Sequence, residues 1–69
     1  MPIRDDANEC ARRWISCNDR RVKKGKPFLL VTIEDMQDFA DGIAESNISD
    51  VAELAYEKVL EWERRVALP

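Results

Sequence analysis

The chain has 69 residues, 14 of them Asp or Glu and 11 Lys or Arg, with two cysteines and no histidine. One domain spanning residues 1–69 is all this length allows, and its core is small enough that natural chains of this size usually add disulfides, a metal or a second subunit. The residue inventory excludes a zinc site of four Cys or His ligands, and no run approaches the roughly 20 apolar residues that cross a bilayer.

Cys10 and Cys17 are seven residues apart in a helical pattern. At about 1.5 Å rise per residue their Cα atoms lie roughly 10 Å apart, beyond the reach of a disulfide. Oligomerisation is the reinforcement that remains, and a homodimer is expected. The start Met1-Pro2-Ile3-Arg4-Asp5-Asp6 is polar and carries no stretch of signal-peptide type, so a cytoplasmic protein without a membrane partner is expected. Charge is divided unevenly: residues 1–26 carry eight basic and four acidic side chains, residues 27–69 three basic and ten acidic. Such asymmetry points to an electrostatic partner, or to one half covering the other.

In chain order, a first helix is expected from Asp6, with Glu9 completing a capping-box-like pattern. Ala7, Cys10, Ala11, Trp14, Cys17 and Val22 recur at helical spacing. Lys23-Lys24-Gly25-Lys26-Pro27 ends it: lysines suit the negative end of the helix dipole, glycine takes a left-handed cap, and proline cannot continue. Phe28-Leu29-Leu30-Val31 is an unbroken apolar run that reads as a buried strand or extended segment. Thr32 with Asp35 reads as the cap of a second helix, whose apolar face is Ile33, Met36, Phe39, Ala40, Ile43 and Ala44. Asn47 and Ser49 break it, and either can cap a third helix from about Asp50 to Arg65. The apolar set of that helix, Val51, Ala52, Leu54, Ala55, Tyr56, Val59, Leu60 and Trp62, is too wide for one neighbour, and a second subunit is the simplest second surface. The fold class is therefore mostly α: an N-terminal helix, a short extended or β segment, then two antiparallel helices.

Catalysis finds little support. There is no histidine to act as a base, and the two glycines, Gly25 and Gly42, form no phosphate loop. Arg13 and Arg21 lie near Cys17, but a small core thiol is the simpler reading of either cysteine. No enzyme activity, cofactor, metal or small-molecule substrate is expected.

The clearest feature is an acidic line. Glu34, Asp38, Asp41 and Glu45 are spaced 4, 3 and 4 apart, on one side of the second helix. Like charges at these spacings destabilise a helix by about 0.2–0.5 kcal/mol per pair. Three readings stay open: a solvated face, a face covered by Arg20, Arg21, Lys23, Lys24 and Lys26 folding back, or a docking site for a basic partner, with Tyr56 of the third helix as a further partner contact. The basic segment itself can meet nucleic-acid phosphates, although it lacks aromatics for base stacking. Tyr56 and Trp62 serve equally as core or as interface. Gly42 inside a helix marks either a close approach or simple tolerance.

From Pro27 onward the layout resembles a ribbon-helix-helix unit, with Phe28–Thr32 as the ribbon, Glu45–Asp50 as the turn and Val51–Trp62 as the second helix. That family forms intertwined dimers that read DNA from paired ribbons. The resemblance implies a dimer interface through Phe28, Leu30, Leu54, Val59 and Trp62. An apolar ribbon has no donors for base edges, so DNA is the less favoured partner.

The chain as a whole resembles the small quorum-sensing anti-activators of Mu-like Pseudomonas phages. The similarity lies in length, in the opening Met1-Pro2-Ile3-Arg4-Asp5-Asp6, and in the run from Lys26 to Met36. It implies a protein that acts in the host cytoplasm by binding and inactivating a LuxR-type transcription activator, with a type IV pilus assembly ATPase as a further target. An acidic helix suits the first, because such an activator is basic where it meets DNA.

Overall fold

The structure, a computed structural model, describes residues 3–66. These form three helices, α1 (Ile3–Lys23), α2 (Ile33–Ile43) and α3 (Ile48–Val66), and contain no strand.

Helix α1 already includes Ile3, so the expected start at Asp6 is corrected. Asp5 and Asp6 lie in the first turn, where the positive end of the dipole favours them. Glu9 does not cap; its carboxylate accepts from Arg12 and Arg13 one turn further on. The C-terminal end follows expectation. Gly25 takes φ +79°, its N–H donates to Val22 O at 3.0 Å, and Lys26 N–H donates to Arg21 O at 2.9 Å. This is the Schellman closure, and it turns the chain sharply off the helix.

A strap from Lys26 to Thr32 then leads to α2. The expected buried strand is corrected here: no strand forms, Leu29 and Leu30 are 41% and 59% exposed, and Val31 alone is buried. With no neighbouring strand, side chains satisfy the strap's backbone. Asn18 on α1 grips Leu29 twice: its Nδ2 donates to Leu29 O, and Leu29 N–H donates to its Oδ1, both at 3.0 Å. Glu63 on α3 accepts from Val31 N–H at 2.7 Å. Phe28 stacks on Trp62 with ring centroids 5.6 Å apart.

Helix α2 opens on the capping box read from the sequence. The Thr32 hydroxyl accepts from Asp35 N–H, and the Asp35 carboxylate accepts from Thr32 N–H. It ends earlier than expected, at Ile43, because Ala44 is extended with φ −89° and ψ 141°. Asn47 takes φ 56°, a left-handed conformation that asparagine tolerates. Its carbonyl accepts from Val51 N–H at 3.0 Å. α3 therefore begins at Ile48, ahead of the expected Asp50.

The core takes Ala7, Cys10, Ala11 and Trp14 from α1, Met36 and Ala40 from α2, and Val51, Ala52, Ala55 and Val59 from α3. Five of these ten are alanines, and small side chains let helices pack closely. Trp14 meets Phe39 edge-on at 5.8 Å. Helix α3 packs against both α1 and α2. Its wide apolar face thus meets two elements of the chain itself, with Val51, Ala52, Ala55 and Val59 buried and Leu54, Tyr56, Leu60 and Trp62 left half-buried.

Candidate protein-binding faces

Helix α2 is a two-sided element. Met36 and Ala40 are fully buried, while Glu34, Asp38 and Asp41 on the opposite side are exposed. Spacing of 4 and 3 keeps these three carboxylates in line. Glu45 leaves the line, because the helix ends at Ile43 and Glu45 lies in the turn beyond it, also exposed.

Two forces oppose this arrangement. Glu34 with Asp38 and Asp38 with Asp41 are like-charge pairs at helical spacing, together unfavourable by roughly 0.4–1 kcal/mol. Glu34 is compensated by its place in the first turn, but Asp41 sits in the last turn, which holds no basic residue. There it faces the negative end of the dipole, unfavourable by about 0.3–1 kcal/mol. No ion pair among the described residues offsets this. Among the described residues the ion pairs are those of Glu9 with Arg12 and Arg13. The basic segment Arg20–Lys26 therefore does not fold back over the acidic line, and of the three readings a solvated face and a docking site remain.

The other expected contact residues separate into two groups. Val59 is fully buried in the chain's own core. It has no surface to give a partner unless the bundle opens. Leu54, Tyr56 and Trp62 are half-buried and packed on the core, Phe28 is half-buried against Trp62, and Leu30 is the most exposed of the set.

Sequence reasoning missed Asn18 and Glu63, the two buried polar side chains, 2% and 3% exposed. A signal was present. Ala7, Ala11, Trp14 and Asn18 follow one line of α1, and Ala52, Ala55, Val59 and Glu63 one line of α3. A polar residue that continues an apolar line is buried by its neighbours and needs a partner. Here both partners are backbone groups of the strap.

Cys10, Glu9 and Trp14 have the following surroundings. Burial pushes the Cys10 thiol up from its ordinary value, away from thiolate character. Hydrogen bonds from Arg12 and Arg13 hold Glu9 below the ordinary carboxylate value. That pairing contributes at neutral pH and fades as pH falls through the lowered value. Trp14 Nε1 is buried with no hydrogen-bond partner. An open groove of about 430 Å³ runs between α1 and α3, with Ile15 and Trp62 along it and Arg12, Lys58, Glu61 and Arg65 at its sides. No three His, Cys, Asp or Glu side chains among the described residues come together as metal ligands. Gly42 has open space where a Cβ would stand, so simple tolerance accounts for it. No helix among the described residues is long and apolar enough to cross a membrane.

No protein-family model matches the chain, and neither a curated protein nor a solved structure is significantly similar to it.

Proposed function

We propose that this chain is a protein-binding inhibitor without chemistry of its own, which docks the acidic side of α2 on a basic surface of a transcription activator. The observation that carries this is the line Glu34, Asp38 and Asp41: exposed, unpaired, and held on a short helix where neighbour repulsion and, at Asp41, the dipole act against it. A face kept only for solubility could place its acids where they cost less. The resemblance to phage anti-activators supplies the partner class, a LuxR-type activator whose DNA-contacting surface is basic. Occupying that surface with three carboxylates excludes the phosphate backbone. The same resemblance makes a pilus assembly ATPase a second target and the host cytoplasm the place of action. Tyr56, half-buried on α3, is a further candidate contact.

The test is release of the activator from its duplex DNA. Adding the protein at concentrations near that of the activator should free the DNA, and an Asp38→Lys, Asp41→Lys variant should not. An activator that stays bound to DNA at any excess of the protein sinks the reading.

A homodimer belongs to the proposal on grounds of size, with Leu54 and Trp62 offering half-exposed surface. The second reading is an intertwined ribbon-helix-helix dimer that binds DNA, favoured by the unpaired cations Arg20, Arg21, Lys23, Lys24 and Lys26. It requires the N–H groups of Leu29 and Val31 to leave Asn18 and Glu63 for a partner strand. A gel shift at low salt with no retardation of duplex DNA removes it.

A further inference from the structure

We propose that the end of the bundle where the strap meets the last turns of α1 and α3 is a docking surface for an anionic lipid leaflet. Three contacts bring these elements together: Asn18 on Leu29, Glu63 on Val31, and Trp62 on Phe28. The large apolar side chains exposed among the described residues are Val22, Leu29, Leu30 and Val66. All four lie on these three segments, one at the end of α1, two on the strap and one at the end of α3.

Seven of the eleven basic side chains share those segments: Arg20, Arg21, Lys23, Lys24, Lys26, Arg64 and Arg65. Arg20 and Arg21 make only a thiol and a carbonyl contact, and no carboxylate among the described residues pairs with any of the seven. The acids on the same segments are Asp19 and Glu63, and Glu63 is buried under the strap; of those next to them, Asp35 is engaged in the capping box, and Glu34 and Glu61 are exposed. The result is exposed aliphatic side chains and cations without an ion-pair partner on the same three segments.

That combination selects the occupant. Cations alone fit any polyanion, but aliphatic side chains gain nothing against a phosphate backbone, and Phe28, the one aromatic on the strap, is engaged with Trp62 and not free to stack on a base. A peptide segment needs a groove, and the open groove between α1 and α3 contains none of Val22, Leu29, Leu30 or Val66. A lipid leaflet needs none: it accepts projecting aliphatic side chains between headgroups while anionic headgroups meet the surrounding Lys and Arg. Association of this kind is peripheral and reversible, requires no membrane span, and leaves the acidic side of α2 free.

The experiment is co-sedimentation of the whole chain with vesicles of equal parts phosphatidylglycerol and phosphatidylethanolamine, against vesicles of phosphatidylcholine alone. Binding is expected to the anionic vesicles only, and to weaken as salt rises. Each cation near an anionic leaflet is worth roughly five-fold in partitioning, so Lys23→Glu, Lys24→Glu should weaken binding by at least about twenty-fold. Leu30→Asp should weaken it by about ten-fold or more, and Val66→Asp, on a different element, should act in the same direction. Both replace exposed side chains, and an unchanged thermal midpoint separates loss of docking from loss of fold. Any of three results overturns the proposal: no sedimentation with anionic vesicles, retention on duplex DNA that Leu30→Asp does not reduce, or a dimer that Leu30→Asp converts to monomer.

Discussion

Two connections join the three helices, and they are held in different ways. The turn from Ala44 to Asn47 closes on local backbone bonds, Ala44 N–H to Ala40 O and Val51 N–H to Asn47 O, with Ala44 buried beneath it. The strap from Lys26 to Thr32 is held by side chains from elsewhere, Asn18 eleven residues back from Leu29 and Glu63 thirty-two residues on from Val31. The difference extends to charge. Acidic Asp41 precedes the turn and acidic Glu45 lies in it, whereas the strap leaves α1 through Lys23, Lys24 and Lys26. A connection held by its own backbone tolerates surface change; one held by two buried polar side chains does not.

The largest effect should come from Glu63→Ala. It removes the carboxylate from a buried N–H and leaves Val31 without a partner, lowering stability by about 2–3 kcal/mol in urea unfolding. Glu63→Gln keeps an accepting oxygen and should lose distinctly less. A loss no larger than that of an exposed substitution would show that the strap is not anchored there. Asn18→Ala comes next, at roughly 1–2 kcal/mol, because Leu29 is partly exposed and water can replace the lost bonds.

At the acidic end the sign should reverse. Asp41→Lys relieves a like-charge pair and suits the helix terminus, so it should raise stability by about 0.5–1 kcal/mol while weakening partner binding. A substitution that stabilises the fold and costs function distinguishes a docking face from a solvated one. The smallest effect concerns the thiols: a maleimide should label half-exposed Cys17 well before Cys10, whose thiol is buried and pushed up. Equal rates would mean that α1 opens readily.

Much of this was legible from the residues. Thr32 and Asp35 announced the start of α2, and Gly25 with Pro27 the end of α1, because caps and turns depend on neighbours in sequence. The apolar lines of all three helices gave the core. What escaped depended on residues distant in sequence. Phe28-Leu29-Leu30-Val31 reads as buried because all four are apolar, yet Val31 alone is buried and Leu29 and Leu30 are exposed, since the strap crosses the bundle without a neighbouring strand to cover its other side. Asn18 and Glu63 continue apolar lines of α1 and α3, and their role depends on the strap lying across them. The acidic line could be drawn from spacing, but the loss of Glu45 from it depended on the backbone turning at Ala44.

The docking face is tested most directly by titrating the chain, and its Asp38→Lys, Asp41→Lys variant, into the isolated DNA-binding domain of a LuxR-type activator at low and moderate salt. Wild-type binding should weaken as salt rises, and the variant should bind well over about ten-fold more weakly while unfolding at the same or higher temperature. Equal affinity of a folded variant would contradict the assignment of α2 as the contact surface.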